Sequence, residues 1–135
     1  MTRAIGTFEV KLTPQPADDY ADGGSLGRLT IDKTFRGDLR GTSKGQMLSA
    51  MAQVKGSAGY VAIERVSGTL GGREGSFVLQ HSGTMNRGVG TLVLGVVPDS
   101  GTEGLAGIAG TMAIIIVEGK HSYEFEYEFS EITPS

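Results

Sequence analysis

The chain has 135 residues and a mass of 14.1 kDa, which suits a single domain over 1–135 with a hydrophobic core of ordinary size. The absence of cysteine excludes a disulfide scaffold, a thiol nucleophile and a zinc–thiolate site. A net charge of -3 argues against non-specific nucleic-acid binding. Glycine is the outlier, because 22 glycines are about twice the usual share and disfavour long helices.

The sequence shows no targeting or membrane-spanning segment. Its first residues lack an apolar run of signal-peptide length and include Glu9 and Lys11. The longest apolar run, Met112–Val117, is far too short to cross a bilayer. We therefore expect a cytoplasmic protein with no membrane partner.

Stretches of period-two alternation, separated by glycine- and serine-rich turns, predict an all-β domain. In chain order, strands are expected near 4–12, 26–36, 38–52, 58–70, 73–84, 88–98, 104–117 and 120–130. One long loop rich in Pro, Asp and Gly is expected near 13–25. Helical spacing of Met47, Met51 and Val54 leaves a short helix open over 46–55, although the regularity of the chain favours a strand. Eight antiparallel strands that close on themselves predict a small barrel, which leaves no exposed edge.

Two-residue turns predict the register of three hairpins. Turns centred on Gly71-Gly72, Asn86-Arg87 and Glu118-Gly119 pair Val66 with Phe77, His81 with Leu92 and Ile114 with Tyr123. These registers agree on one largely apolar inner face, made of Tyr60, Ala62, Glu64, Val66, Phe77, Leu79, His81, Leu92, Leu94, Val96, Met112, Ile114, Ile116, His121, Tyr123 and Phe125.

Five stretches of the chain resemble a bacterial domain family of unknown function. They are Gly6–Val10, Lys33–Leu39, Tyr60–Val66, Phe77–Met85 and Gly119–Phe125. The resemblance covers nearly the whole chain and implies an allene-oxide-cyclase-type barrel, in which eight antiparallel strands surround an apolar cavity. The wider superfamily includes a plant lipid cyclase and the dirigent proteins, which are often oligomeric. No motif carries their catalytic positions over to this chain.

Three polar residues interrupt the predicted inner face: Glu64, His81 and His121. A carboxylate there is expected to have a raised pKa and to act as a general acid or base, and Glu64 with His81 is the tentative catalytic pair. The alternative is a structural ion pair of Glu64 with Lys33 or with His81. His121 could complete a polar floor or a set of three metal ligands, but no His-x-His pair supports a metal. We predict neither a metal nor a cofactor.

The predicted ligand contacts are Tyr60, Lys33, His121 and Tyr123. Tyrosine hydroxyls can donate to a ligand carbonyl, although aromatic side chains on a core face more often only fill volume. The favoured function is binding of a small apolar or amphipathic molecule in the lumen. The alternatives are a cofactor-independent isomerase or cyclase that uses Glu64, His81 or both, and a structural oligomerisation module without a ligand.

Apolar residues on the predicted outer face favour a homo-oligomer. A monomer normally shows less apolar outer surface than this register predicts. The residues concerned are Val61, Ile63, Val78, Val93, Val97 and Ile115.

Overall fold

The computed structural model describes residues 1–16 and 26–130. Its strands are β1 Thr2–Gln15, β2 Leu26–Gly37, β3 Leu39–Met51, β4 Ala58–Leu70, β5 Arg73–Asn86, β6 Val89–Val96, β7 Thr102–Glu103, β8 Ile108–Val117 and β9 Lys120–Phe129. These ranges contain no helix, and hence no helix long and apolar enough to span a membrane.

The eight long strands close into an antiparallel barrel, as predicted. Each strand from β1 to β5 pairs with the next, β8 pairs with β9, and β9 pairs with β1. The seam between β6 and β8 is closed by one pair, Gly95 with Thr111. The two-residue strand β7 lies against the start of β5 and is not part of the wall.

Three predicted segments have different bounds in the structure. The stretch 46–55 is a strand, as favoured, but β3 ends at Met51 and a turn follows. The predicted strand at 104–107 is wrong, because those residues form a turn that buries Leu105. The loop expected near 13–25 starts later, since β1 continues through Pro14 to Gln15, and 17–25 lies outside the described residues. Proline lacks the backbone N–H, but Pro14 removes no hydrogen bond between β1 and β9, because these strands pair only as far as Phe8.

Two of the three predicted hairpin registers are confirmed, and the one between β5 and β6 is wrong by two residues. His81 lies opposite Leu94 instead of Leu92. The turn is centred on Arg87-Gly88, whose φ angles are 49° and 90°, because a two-residue hairpin turn of this type needs positive φ at both positions. A shift of two keeps every side chain on its predicted face, so Leu92 still points inward but lies further towards the end of the barrel.

One end of the lumen is filled by packed side chains. Phe77 and Phe125 stack with their ring centroids 5.7 Å apart, and both are fully buried together with Leu79. Phe35 meets Tyr123 edge-on nearby, with the centroids 5.8 Å apart. A ligand inside the barrel would therefore have to lie at the other end.

The other end, which we call the open end, exposes residues of the inner face. Leu12 and Met85 are each 44% exposed and Leu92 is 38% exposed, although cross-strand partners place all three on the inner side of the wall. Among residues 1–16 and 26–130, the wall is incomplete here for two reasons. Strands β6 and β8 separate beyond the Gly95 bridge, and β1 has no β9 partner beyond Phe8. Among the described residues, the barrel therefore combines a packed core at one end with exposed apolar side chains of the inner face at the other.

Candidate functional site

A cluster of polar side chains lies inside the barrel wall, between the packed core and the open end. Lys33, Ser43, Glu64 and His81 come from the consecutive strands β2, β3, β4 and β5. Strand alternation turns all four inward, and all four are buried. A buried charge in such a place needs a partner of opposite charge and further hydrogen bonds.

Glu64 lies at the centre of this cluster and both of its carboxylate oxygens are engaged. Lys33 Nζ donates to Glu64 Oε2 over 2.8 Å, and Ser43 Oγ donates to Oε1 over 2.7 Å. His81 Nε2 lies 2.5 Å from Oε2. The Lys33 ammonium also lies over the ring of Phe8, 4.9 Å from its centroid, which adds a cation–π contact.

The surroundings of Glu64 lower the pKa of its carboxyl group. Burial alone would raise that pKa, but the hydrogen bond from His81 and the positive charge of Lys33 outweigh burial and bring the pKa to about 2. The prediction of a raised pKa is therefore wrong, and the ion-pair alternative describes the site. Because Glu64 stays ionised at neutral pH, it has no proton to give as a general acid.

Tyr60 connects the buried cluster to the open end. Its hydroxyl lies 3.3 Å from His81 Nδ1, and its side chain is partly exposed, unlike the four members of the cluster. The ring lies against Gly83 on β5, where any side chain would collide with it. Burial, followed by the negative charge of Glu64, raises the pKa of Tyr60, so its hydroxyl is protonated at neutral pH.

The proton positions follow from what each group can donate or accept. A carboxylate only accepts, so the hydrogen between His81 and Glu64 belongs to Nε2. Lys33 and Glu64 balance each other's charge, and the two ring nitrogens of His81 contact Glu64 and Tyr60. In a neutral imidazole that carries its hydrogen on Nε2, Nδ1 is an acceptor to which the Tyr60 hydroxyl can donate. Tyr60, His81 and Glu64 thus form one hydrogen-bonded chain.

Comparison with known proteins agrees with this all-β architecture and assigns the family. The family described as "Protein of unknown function (DUF3224)" matches residues 4–127. The chain belongs to the DUF3224 family. It is 57% identical to a DUF3224 protein of unknown function from Shewanella oneidensis MR-1, whose crystal structure superposes with a TM-score of 0.93. That match covers 97% of this chain and 98% of the other. No curated protein matches the chain.

His121 lies apart from the other predicted site residues of this DUF3224 chain. Its ring packs on Phe8, with the centroids 5.2 Å apart, and Lys33 lies over that same Phe8 ring. His121 and Lys33 thus both contact Phe8, and no hydrogen bond among the described residues joins His121 to Glu64 or His81. The polar floor that would join Glu64, His81 and His121 does not form, and the described residues contain no group that could hold a metal ion.

The structure gives Tyr123 a role in holding the fold. Its buried hydroxyl accepts from the Leu39 amide over 2.9 Å and lies 2.9 Å from the carbonyl oxygen of Arg36, to which it can donate. These contacts hold the turn between β2 and β3 against β9. Because backbone groups occupy this hydroxyl, it is not offered to a ligand, in contrast to Tyr60.

Ser43 is the member of the cluster that sequence reasoning missed. It pairs with Lys33 on one side and with Val66 on the other, which places it beside Glu64. A two-residue turn would have revealed this register, but the β3–β4 connection is longer. The signal that could have identified Ser43 is a polar serine on the inner face, directly opposite Lys33.

A second concave feature of the DUF3224 chain lies on the outer face of β2 to β5. It is a groove of about 540 Å³, whose outward-pointing lining includes the exposed residues Leu26, Leu48 and Val61. Gly59 lines the same groove, and a side chain built at this position would have almost no neighbours. The groove is therefore a largely apolar depression of the outer surface, and the inner-face residues Tyr60 and Gly83 are also part of its lining.

Proposed function

We propose that this protein binds a small apolar or amphipathic molecule in the open end of the barrel. One observation carries the proposal: Leu12, Met85 and Leu92 belong to the inner face and yet are more than one-third exposed. Exposed apolar surface on a concave wall favours a ligand that shields it from water. The partly exposed Tyr60 supplies a polar group beside this surface, which fits an amphipathic molecule.

The packed half and the buried cluster support the same proposal. The stacked pair Phe77 and Phe125 closes the far end of the lumen, so a ligand that enters from the open end meets packed side chains there. The Lys33–Glu64 pair holds His81, and His81 in turn holds Tyr60, so the polar group is positioned before a ligand arrives. A preorganised site avoids part of the entropic cost of binding.

The binding proposal is tested with the fluorescent apolar dye Nile red. We expect saturable fluorescence enhancement with the wild-type protein and competition by menthol. Leu92→Arg puts a charge on the inner wall and should weaken dye binding by at least about tenfold, since apolar burial is replaced by desolvation of a charge. Val93→Arg is the matched control, because the neighbouring side chain points outward and is exposed. Equal loss in both variants, or no saturable binding by the wild type, contradicts the proposal.

A cofactor-independent isomerase or cyclase is the second candidate, and the hydrogen-bond chain favours it. An acidic proton of a bound substrate could pass to Tyr60 Oη while the Tyr60 proton passes to His81 Nδ1. The resulting imidazolium would be stabilised by the Glu64 carboxylate, and a later return of the proton to a different atom would complete an isomerisation. In this arrangement Glu64 is a positioning residue, and Tyr60 with His81 moves the proton.

Menthone is a suitable probe for this second candidate, because removal and return of its α-proton epimerises it to isomenthone. We expect the wild-type protein to accelerate epimerisation above the buffer rate, and Tyr60→Phe to abolish the acceleration while Nile red still binds. Acceleration that survives in Tyr60→Phe excludes the proposed proton path. Nile red binding without any acceleration leaves passive binding as the function.

Self-association through the outer groove is the third candidate, and a second copy of the chain is the proposed occupant. The groove and the exposed residues Val61 and Ile63 form apolar surface on β2 to β5, and a symmetric dimer covers such a face on both copies at once. Sedimentation at micromolar concentration should show a dimer that Val61→Asp dissociates. Thr34→Asp, at an exposed outward position on β2, is the control. A monomeric wild type contradicts this candidate.

The cytoplasmic location of the protein and its resemblance to allene oxide cyclase remain predictions.

A further inference from the structure

We propose that the open end selects ligands whose polar head donates a hydrogen bond, an alcohol or phenol rather than a ketone or an ester. The proposal rests on the binding function argued above and names the chemical class of its ligand. It reverses the sequence-based expectation that Tyr60 donates to a ligand carbonyl.

The first step is the direction of the hydrogen bonds in the buried cluster. Glu64 accepts from Lys33 and from Ser43, and as a carboxylate it accepts from His81 Nε2 as well. The proposal includes a neutral His81, because Lys33 already balances the charge of Glu64. A neutral imidazole that donates through Nε2 accepts through Nδ1, and Nδ1 faces Tyr60.

The second step concerns the Tyr60 hydroxyl itself. It has one hydrogen, and the contact with His81 Nδ1 uses that hydrogen. What remains for a ligand is the pair of acceptor lone pairs on Oη. A ligand hydroxyl can donate to them, whereas a carbonyl oxygen would meet another acceptor and would have to break the contact with His81.

The third step is the fixed position of Tyr60 in the wall. The Tyr60 ring lies on Gly83 of the neighbouring strand, and its hydroxyl is held at 3.3 Å from His81. His81 is held in turn by the fully buried Glu64. Turning the hydroxyl towards a carbonyl would leave His81 Nδ1 without its donor in a buried place, which is unfavourable.

Menthol and menthone test the inference, because they share a carbon skeleton and differ only in a hydroxyl against a carbonyl. Affinities for the wild type and for Tyr60→Phe are measured by displacement of Nile red. We expect the wild type to bind menthol about three- to tenfold more tightly than menthone, the range of one net hydrogen bond. Tyr60→Phe should bind both compounds with nearly equal affinity, because it keeps the ring and loses the acceptor.

The outcomes separate this inference from the binding function. If the wild type binds both compounds equally, or prefers menthone, the donor preference is refuted and the binding site stands. If the preference persists in Tyr60→Phe, another residue causes it and the inference is refuted. If neither compound displaces the dye and the dye itself does not bind, the proposed function fails and this inference fails with it.

A nitrogen NMR spectrum gives a second test that needs no ligand. The chain has only two histidines, so His121→Gln leaves a single imidazole, that of His81. We expect the spectrum at neutral pH to show a protonated Nε2 and a bare Nδ1. A proton on Nδ1 would make Tyr60 an acceptor from His81, free its hydrogen for a carbonyl and overturn the inference.

Discussion

Lys33 Nζ and Glu64 Oε2 lie 2.8 Å apart, and both side chains are almost completely withdrawn from solvent. The two residues are 31 positions apart in the chain and meet only because β2, β3 and β4 are neighbours in the wall. Such a pair contributes little net stability compared with an apolar replacement, but removing one partner leaves a buried charge without its counterpart.

The first prediction is a double-mutant cycle on this pair. Lys33→Met and Glu64→Met should each reduce the free energy of unfolding by about 3–5 kcal/mol, whereas the double variant should cost much less than their sum. Urea unfolding monitored by tyrosine fluorescence measures the three values. Lys44→Met is the control, since its pair with Asp32 is exposed and 3.8 Å long, and should cost less than about 1 kcal/mol. Additive costs would show that Lys33 and Glu64 do not interact.

The second prediction concerns acid stability. The pKa of Glu64 is lowered from 4.5 to about 2 on folding, so the stability that Glu64 contributes is present above pH 4.5 and is lost as the pH falls to about 2. The loss amounts to about 3 kcal/mol over that interval. The free energy of unfolding of Glu64→Gln should depend less steeply on pH there than that of the wild type. Identical slopes would mean that Glu64 titrates normally in the folded protein.

The third prediction addresses the structural role of Tyr123. Tyr123→Phe removes the hydroxyl that bonds the Leu39 amide and the Arg36 carbonyl, and should reduce the free energy of unfolding by about 1–3 kcal/mol. Tyr127→Phe serves as control, because the Tyr127 hydroxyl has no hydrogen-bond partner among the described side chains and backbone groups, and its loss should cost under about 0.5 kcal/mol. Nile red binding should be unchanged in both variants. Loss of dye binding in Tyr123→Phe would bring this residue back as a ligand contact.

The fourth prediction tests the corrected turn between β5 and β6. Arg87 adopts a φ of 49° next to Gly88, and asparagine is the residue preferred at that position of such a hairpin turn. Arg87→Asn should therefore raise the free energy of unfolding by about 0.5 kcal/mol and the melting temperature with it. Gly88→Ala, at a φ of 90°, should lower the free energy of unfolding by about 1 kcal/mol. Thermal unfolding by circular dichroism measures both shifts. A destabilised Arg87→Asn would favour the turn one residue earlier.

Local patterns were enough for the β architecture and for much of its register. Alternation shows which residues share a face, and Gly71-Gly72 defines one hairpin, because a two-residue turn leaves little freedom in the pairing. The predicted turn at Asn86-Arg87 is one residue too early. Asn86-Arg87 and Arg87-Gly88 both contain a residue that favours such a turn, and only the φ angles distinguish the two. The inward position of Glu64 and His81 could be predicted from the β4–β5 hairpin alone.

The sequence by itself determined the strands, the barrel and the inner face, since these depend on periodicity and on contacts between neighbouring segments. Only the tertiary structure decided that Lys33 and Ser43 reach Glu64, because the β3 register depends on a longer connection. It also decided the direction of the Glu64 pKa, in which burial and attraction oppose each other with similar strength. The open end also depends on the tertiary structure, because it lies where β6 and β8 separate. No local sequence pattern predicts how far apart these two strands are.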